Sequence, residues 1–198
     1  MSTQILIVYD TNGGHTHDMA RKVANGVDSI AGSEALLRQV AKVTTNISEH
    51  AEAVPDSGAP FVSKDDIDSC SGLILGSPTH FGNMSASMKY FIDQTTSHWL
   101  GGTLSGKPAG VFTSTGSQHG GQEATLLTMM LPLMHHGMVI CGLPYTHPGL
   151  MQTETGGTPY GPSHVAGERN DKPISTIESE LCMLLGQRVA TFAQRLSQ

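Results

Sequence analysis

The sequence predicts an α/β protein, a doubly wound parallel sheet of five strands with helices on both faces. Three observations lead there. Short apolar runs alternate with stretches of helical period along the chain. The first run, Ile5-Leu6-Ile7-Val8-Tyr9, is continuously apolar and rich in β-branched residues, the pattern of a strand covered on both faces. The turns after the first, third and fourth runs are rich in Gly, Ser, Thr and His, and right-handed crossovers place all three at one end of the sheet.

In chain order, the first strand leads through a polar turn at residues 10–16 into a helix marked by Met19, Val23, Ala24 and Val27, with Gly32 as its stop. Residues 35–40 form a second, less apolar strand, expected nearer an edge. Residues 41–66 are polar, contain Pro55, Gly58 and Pro60, and form a long excursion of the kind that serves function or assembly. The third strand, Gly72-Leu73-Ile74-Leu75-Gly76, ends at Ser77-Pro78, because proline offers no N–H and holds Ser77 extended. Gly76 and Gly82 let the backbone approach something flat or bulky. Met84, Met88, Phe91 and Ile92 stripe the next helix, and residues 109–113 form the fourth strand. A helix over 123–136 carries Pro132, expected to kink it, and closes at Gly137. Residues 138–141 are the fifth strand, and a second excursion covers 143–172. The last helix opens on the capping box Ser175-Thr176-Ile177-Glu178. One domain spans 1–198.

Composition narrows the function. The net charge is −6 with scattered Lys and Arg, so nucleic acid is not the expected partner. No apolar run nears the roughly 18 residues of a membrane span, and the N-terminus shows no secretory signal. Three well-separated cysteines without a C-x-x-C fit buried thiols in a reduced, cytoplasmic protein. No metal site is expected: there is no H-E-x-x-H, and adjacent His135 and His136 point about 100° apart on a helix. No G-x-S-x-G nucleophile elbow occurs.

Thr11-Asn12-Gly13-Gly14-His15-Thr16 offers successive N–H groups at a helix N-terminus. That is an anion cradle. It lacks the lysine of a triphosphate loop and is not G-x-G-x-x-G, so a single phosphate monoester fits it; an ordinary polar turn is the competing reading of this stretch alone. The stretches from Pro78 to Asn83 and Ser114-Thr115-Gly116-Ser117 face each other across the same crevice. Both are short of charge and rich in backbone groups, which suits a planar heteroaromatic ring. The ligand expected is flavin mononucleotide (FMN), bound beyond the carboxyl ends of the strands.

Pro78-Thr79-His80-Phe81-Gly82-Asn83-Met84-Ser85, Ser114-Thr115-Gly116, His135-His136-Gly137-Met138 and the glycine-rich Gly156-Gly157-Thr158-Pro159-Tyr160-Gly161 together resemble the WrbA-type NAD(P)H:quinone oxidoreductases, a tetrameric, flavodoxin-like family. The resemblance implies strand order 2-1-3-4-5, FMN as cofactor, NAD(P)H and quinone as substrates, ping-pong turnover and a homotetramer. It assigns the phosphate to Thr11, Asn12, Gly13, Gly14, His15 and Thr16. The ring system falls to Pro78, Thr79, His80, Phe81, Asn83, Ser114, Thr115, Gly116, Ser117, Gln118 and His119, with His135 also touching the flavin. His80, Trp99 and His135 are the implied catalytic residues, Trp99 acting across a subunit boundary. The chain departs from the family pattern at Gly13, where an aromatic is common, at His80, where an arginine is common, and at Asp10, a carboxylate beside the phosphate turn. A flavodoxin-like one-electron carrier and a catalytically impaired flavin-binding protein are the alternative functions.

Overall fold

The continuous apolar runs become a parallel sheet of order β2-β1-β3-β4-β5, as expected. In the computed structural model, which describes residues 2–43, 55 and 57–196, these strands are β1 (Thr3–Tyr9), β2 (Ser33–Gln39), β3 (Gly72–Pro78), β4 (Pro108–Thr115) and β5 (Val139–Ile140). Every residue of β4 is buried, whereas none of β2 is, in keeping with its edge position.

Alternation sorts the strand side chains into two cores. Ile5, Ile7, Ile74 and Phe112 pack under α1 (His15–Asp28) and the last helix, α7 (Thr176–Leu196). Leu6, Val8, Leu73, Leu75 and Val111 face the opposite way. There they meet Met88 and Phe91 of α3 (Ala86–Asp93), Leu104 beyond α4 (Thr96–Gly101), and Leu126, Met129 and Leu133 of α5 (Gln122–His135). Gly137 follows α5 with φ 74° and closes it as expected. The capping box of α7 also forms: the Glu178 N–H donates to Ser175 Oγ at 3.2 Å, and the Ser175 N–H donates to Glu178 Oε2 at 2.7 Å.

Several elements differ from the sequence reading. α1 ends at Asp28, and Gly32, at φ 80°, instead turns the chain into β2. The first excursion contains α2 (Lys64–Ser69), capped reciprocally by Ser63 and Asp66; its residues 44–54 and 56 lie outside the described residues. The second excursion contains α6 (Gly149–Gln152) and a sixth strand, β6 (Ser163–Val165). β5 pairs with Pro108 and Ala109 at the start of β4, and β6 pairs with Thr113, Ser114 and Thr115 at its end. The fifth column of the sheet is therefore split, and the chain between its halves leaves and returns.

Cys70, Cys141 and Cys182 are free and buried. Burial is the main cause that pushes their thiols up, Cys70 to about 11. Among the described residues no helix is long and apolar enough to cross a membrane.

Gly76 is bare for the sake of the core and not of a ligand. A Cβ there would lie 2.0 Å from the Phe112 ring, which packs across the strand. Gly76→Ala should therefore overpack this contact and lower stability by about 1–3 kcal/mol, seen as a lower denaturation midpoint at unchanged m-value; a midpoint equal to wild type would show that Phe112 can move aside.

Candidate functional site

Parallel pairing brings Tyr9 level with Gly76, Gly76 with Phe112 and Pro78 with Ser114, so the turns after β1, β3 and β4 meet at one end of the sheet. They enclose a crevice of about 130 Å³ lined by Thr11, Asn12, Gly13, His15, Thr16, Pro78, Thr79, Ser114, Thr115 and Gly116, together with Ala166 and Asn170.

The turn before α1 keeps some of its donors open and ties others to itself. Gly14 opens α1 in the left-handed conformation with no side-chain cap, and its own N–H donates to Thr11 Oγ1 at 3.0 Å. The N–H groups of Asn12, Gly13, His15 and Thr16 find no acceptor among the described residues, nor does the hydroxyl of Thr16, a residue only 2% exposed. Open donors at a helix N-terminus are what an anion needs. Asp10 does not repel it. Its carboxylate is buried, accepts the Thr11 N–H at 2.9 Å and pairs with the Lys42 ammonium. Lys42 also donates to Thr11 O at 2.6 Å and Asn12 Oδ1 at 2.9 Å, so this one residue of the first excursion stitches the turn from outside.

A chain of hydroxyls joins the other two turns. Thr113 donates to Ser77 O at 2.7 Å and meets Thr79 Oγ1 at 3.0 Å, which also receives the Thr125 hydroxyl at 3.1 Å. The Thr79 N–H donates to Ser114 O at 2.9 Å. His80 and Asn83 exchange backbone hydrogen bonds across a tight turn, leaving Phe81 left-handed at φ 54° with its ring fully exposed. An exposed phenyl ring on a strained backbone is an arrangement that function, not stability, explains. His80 Nε2 lies 3.3 Å from Asn12 Nδ2, linking this turn to the cradle.

Other predicted residues lie elsewhere. The Gln118 side chain turns away and donates to Thr155 O at 2.9 Å. Ser117 and Gln118 line a neighbouring polar cleft with Glu154 and Arg169, and His119 is exposed outside the crevice. Trp99 and His135 are not in this crevice. α5 starts beside the crevice and runs back along the sheet for 14 residues, about 20 Å, so its last turn lies at the opposite end. There Trp99 Nε1 donates to His135 O at 2.8 Å, and both residues line a second cleft of about 470 Å³.

Ala166 and Asn170 escaped the sequence reading because they belong to a stretch without periodicity. The wall that carries them hangs on Glu178, which is 1% exposed. Its Oε1 accepts the N–H groups of Gly156 at 2.8 Å and Val165 at 3.3 Å, and its Oε2 meets His164 Nδ1 at 3.0 Å. Burial, the largest influence, raises the carboxyl pKa. The hydrogen bonds from His164, Ser175 and Gly156 and the charge of His164 outweigh it, bringing the value down to about 2.

The match to known proteins decides the family. Residues 3–146 match the model of the NADPH-dependent FMN reductases. The chain belongs to that family. It is 42% identical to a protein of Geobacter sulfurreducens and 39% identical to one of Geotalea daltonii, each named NAD(P)H dehydrogenase (quinone), with 98% of both chains covered in each case. Among solved structures it is similar to a flavodoxin, WrbA-like protein from Agrobacterium tumefaciens, with a TM-score of 0.69, 25% identity and coverage of 98% and 99% of the two chains. The fold is flavodoxin-like. The crevice has the features the flavin named by the family would need: open backbone donors at the cradle for an anion, and two turns rich in backbone groups beside it for a flat ring.

Glu178 makes the wall sensitive to acid. Its folded-state pKa lies below the ordinary 4.5, so its contribution is complete above pH 4.5 and is lost as the pH falls toward 2, on the order of 3 kcal/mol in all. Denaturation across that window should show a shallower acid slope for Glu178→Gln than for wild type; equal slopes would show that Glu178 is not the acid-sensitive tie.

Proposed function

We propose that the protein is an FMN-dependent NAD(P)H:quinone oxidoreductase of the cytoplasm that works as a homotetramer. The observation that carries this reading is the open anion cradle of α1 set beside two uncharged turns and an exposed Phe81. The names of the two bacterial relatives supply the substrate classes. Bound FMN would accept a hydride from NADH or NADPH and return two electrons to a quinone.

The protein's part is placement. Asn12, Gly13, His15 and Thr16 hold the phosphate through backbone N–H groups and the Thr16 hydroxyl. The hydroxyl chain of Thr79, Thr113 and Thr125 fixes the spacing of the two ring turns, and Phe81 offers an apolar face. His80, tied to Asn12, stands at the mouth where the nicotinamide and the quinone enter in turn. One shared mouth implies that one substrate leaves before the next arrives.

Trp99 and His135 enter through assembly. Trp99, Leu100, Leu131 and Met134 are exposed around their cleft, at 49%, 74%, 54% and 51%, an apolar surface of the kind subunit contacts cover. In the tetramer this surface meets the flavin crevice of a neighbouring subunit, and Trp99 and His135 wall that site.

The purified protein should bind FMN, lose its oxidised-flavin absorbance on anaerobic NADH or NADPH, and give parallel double-reciprocal lines with benzoquinone. Failure to take up FMN, or intersecting lines, would overturn the reading. His135→Ala should lower kcat/KM about tenfold, or about 1.4 kcal/mol. Mixed tetramers of this variant with a cradle-disabled chain should regain activity, because their defects lie in different subunits' contributions to one site; no recovery would remove His135 from a neighbour's site.

A further inference from the structure

Asn170 and Phe81 are the only non-glycine residues with positive φ among those described, and Asn170 lines the flavin crevice while Phe81 stands at its edge. Asn170 sits at φ 56°, which asparagine tolerates better than most residues. Its turn closes on itself: the Asn170 N–H donates to Gly167 O at 3.0 Å, and the Lys172 N–H donates to Ala166 O at 2.9 Å.

Two histidines hold that turn. His15 Nε2 donates to Asn170 O at 3.1 Å, and the buried His164 Nε2 donates to Lys172 O at 3.1 Å; a carbonyl oxygen can only accept, which fixes the proton on each of these nitrogens. The two rings pack with centroids 4.8 Å apart. Glu178, on the other nitrogen of His164, completes the support.

The Asn170 amide occupies the space a side chain at position 13 would take. A Cβ on Gly13 would lie 2.0 Å from Asn170 Nδ2. The amide's present acceptor is Gly13 O at 3.5 Å, the long limit of a hydrogen bond. A weakly committed donor thus sits against a cradle whose N–H groups are open, and a phosphate oxygen offers it a shorter, charge-assisted bond. Lys42, the cation bonded to the cradle turn, is already paired with Asp10.

We propose that Asn170 is a further ligand of the flavin phosphate, reaching it because position 13 has no side chain, and that His15 and His164 are the positioning residues of its turn. The proposal rests on the reading of the crevice as an FMN site. The same amide could not serve a flavin without phosphate, so its contribution belongs to FMN and not to riboflavin.

Dissociation constants of FMN and riboflavin for the flavin-free full chain separate the possibilities. Asn170→Gly keeps the left-handed backbone and removes only the amide. It should weaken FMN binding about 10- to 100-fold, the worth of a hydrogen bond to a charged group, and leave riboflavin unchanged. Gly13→Ala, whose methyl displaces the amide, should give the same loss, and the double variant no more than either alone. His164→Gln should weaken FMN binding in the wild-type background and not in the Asn170→Gly background. Unchanged FMN affinity in Asn170→Gly, or an equal fall for riboflavin, would overturn the assignment while leaving the FMN site in place. A wild-type chain that binds neither flavin would overturn the FMN reading and this ligand together.

Discussion

The candidate site depends on one buried carboxylate. Withdrawing a charge from water costs several kcal/mol unless hydrogen bonds replace the lost hydration, and Glu178 is satisfied by donors that arrive from four places: Gly156, His164, Val165 and Ser175. None of these belongs to the regular part of the sheet inherited from the apolar runs. Glu178 therefore does for the second excursion what apolar packing does for β1, β3 and β4. It fixes a polar stretch that has too little hydrophobic surface to order itself, and it does so from the first turn of α7, whose same face is anchored in the core by Leu181 and Leu185.

That fixing explains why the fifth column of the sheet is split. β5 needs only two residues to complete the lower half of β4's outer edge. The upper half is completed by β6, after an excursion that includes α6 and the glycine-rich turn. Had the column been continuous, the chain would have passed the crevice once and gone on to α7. Because it returns, Ala166 and Asn170 are laid over the cradle. The split gives the crevice a fourth wall, and Glu178 holds that wall where the chain re-enters.

The features legible in the sequence are those with a local physical signature. Apolar runs alternating with helical stretches marked five strands as parallel, and a glycine-rich turn opening a helix marked the cradle. The Ser175/Glu178 capping box was readable from a spacing of three. β6 was not, because Ser163-His164-Val165 alternates nothing and is buried through a polar ring whose two nitrogens are held by Glu178 and by Lys172 O. Lys42 and Asn170 were hidden for a related reason: each reaches the cradle from a stretch with no period, and contact at a sequence separation of 31 or 157 leaves no mark on local composition. Gly76 shows the converse error. A bare backbone beside a site looked like room for a ligand, but the ring it admits is Phe112.

The departures of this chain from its relatives' pattern are best understood in pairs. Asp10 alone would set a buried negative charge under an anion cradle; with Lys42 it becomes a neutral tie that holds Thr11 and Asn12 in place. Gly13 alone would leave a gap where a larger side chain might stand; with Asn170 the gap is filled from the far end of the chain. Both changes are thus met by a second residue from a distant stretch that restores the cradle's charge or its packing. On the proposed reading, the first turn keeps its open donors and Asn170 adds one more from the stretch that follows β6.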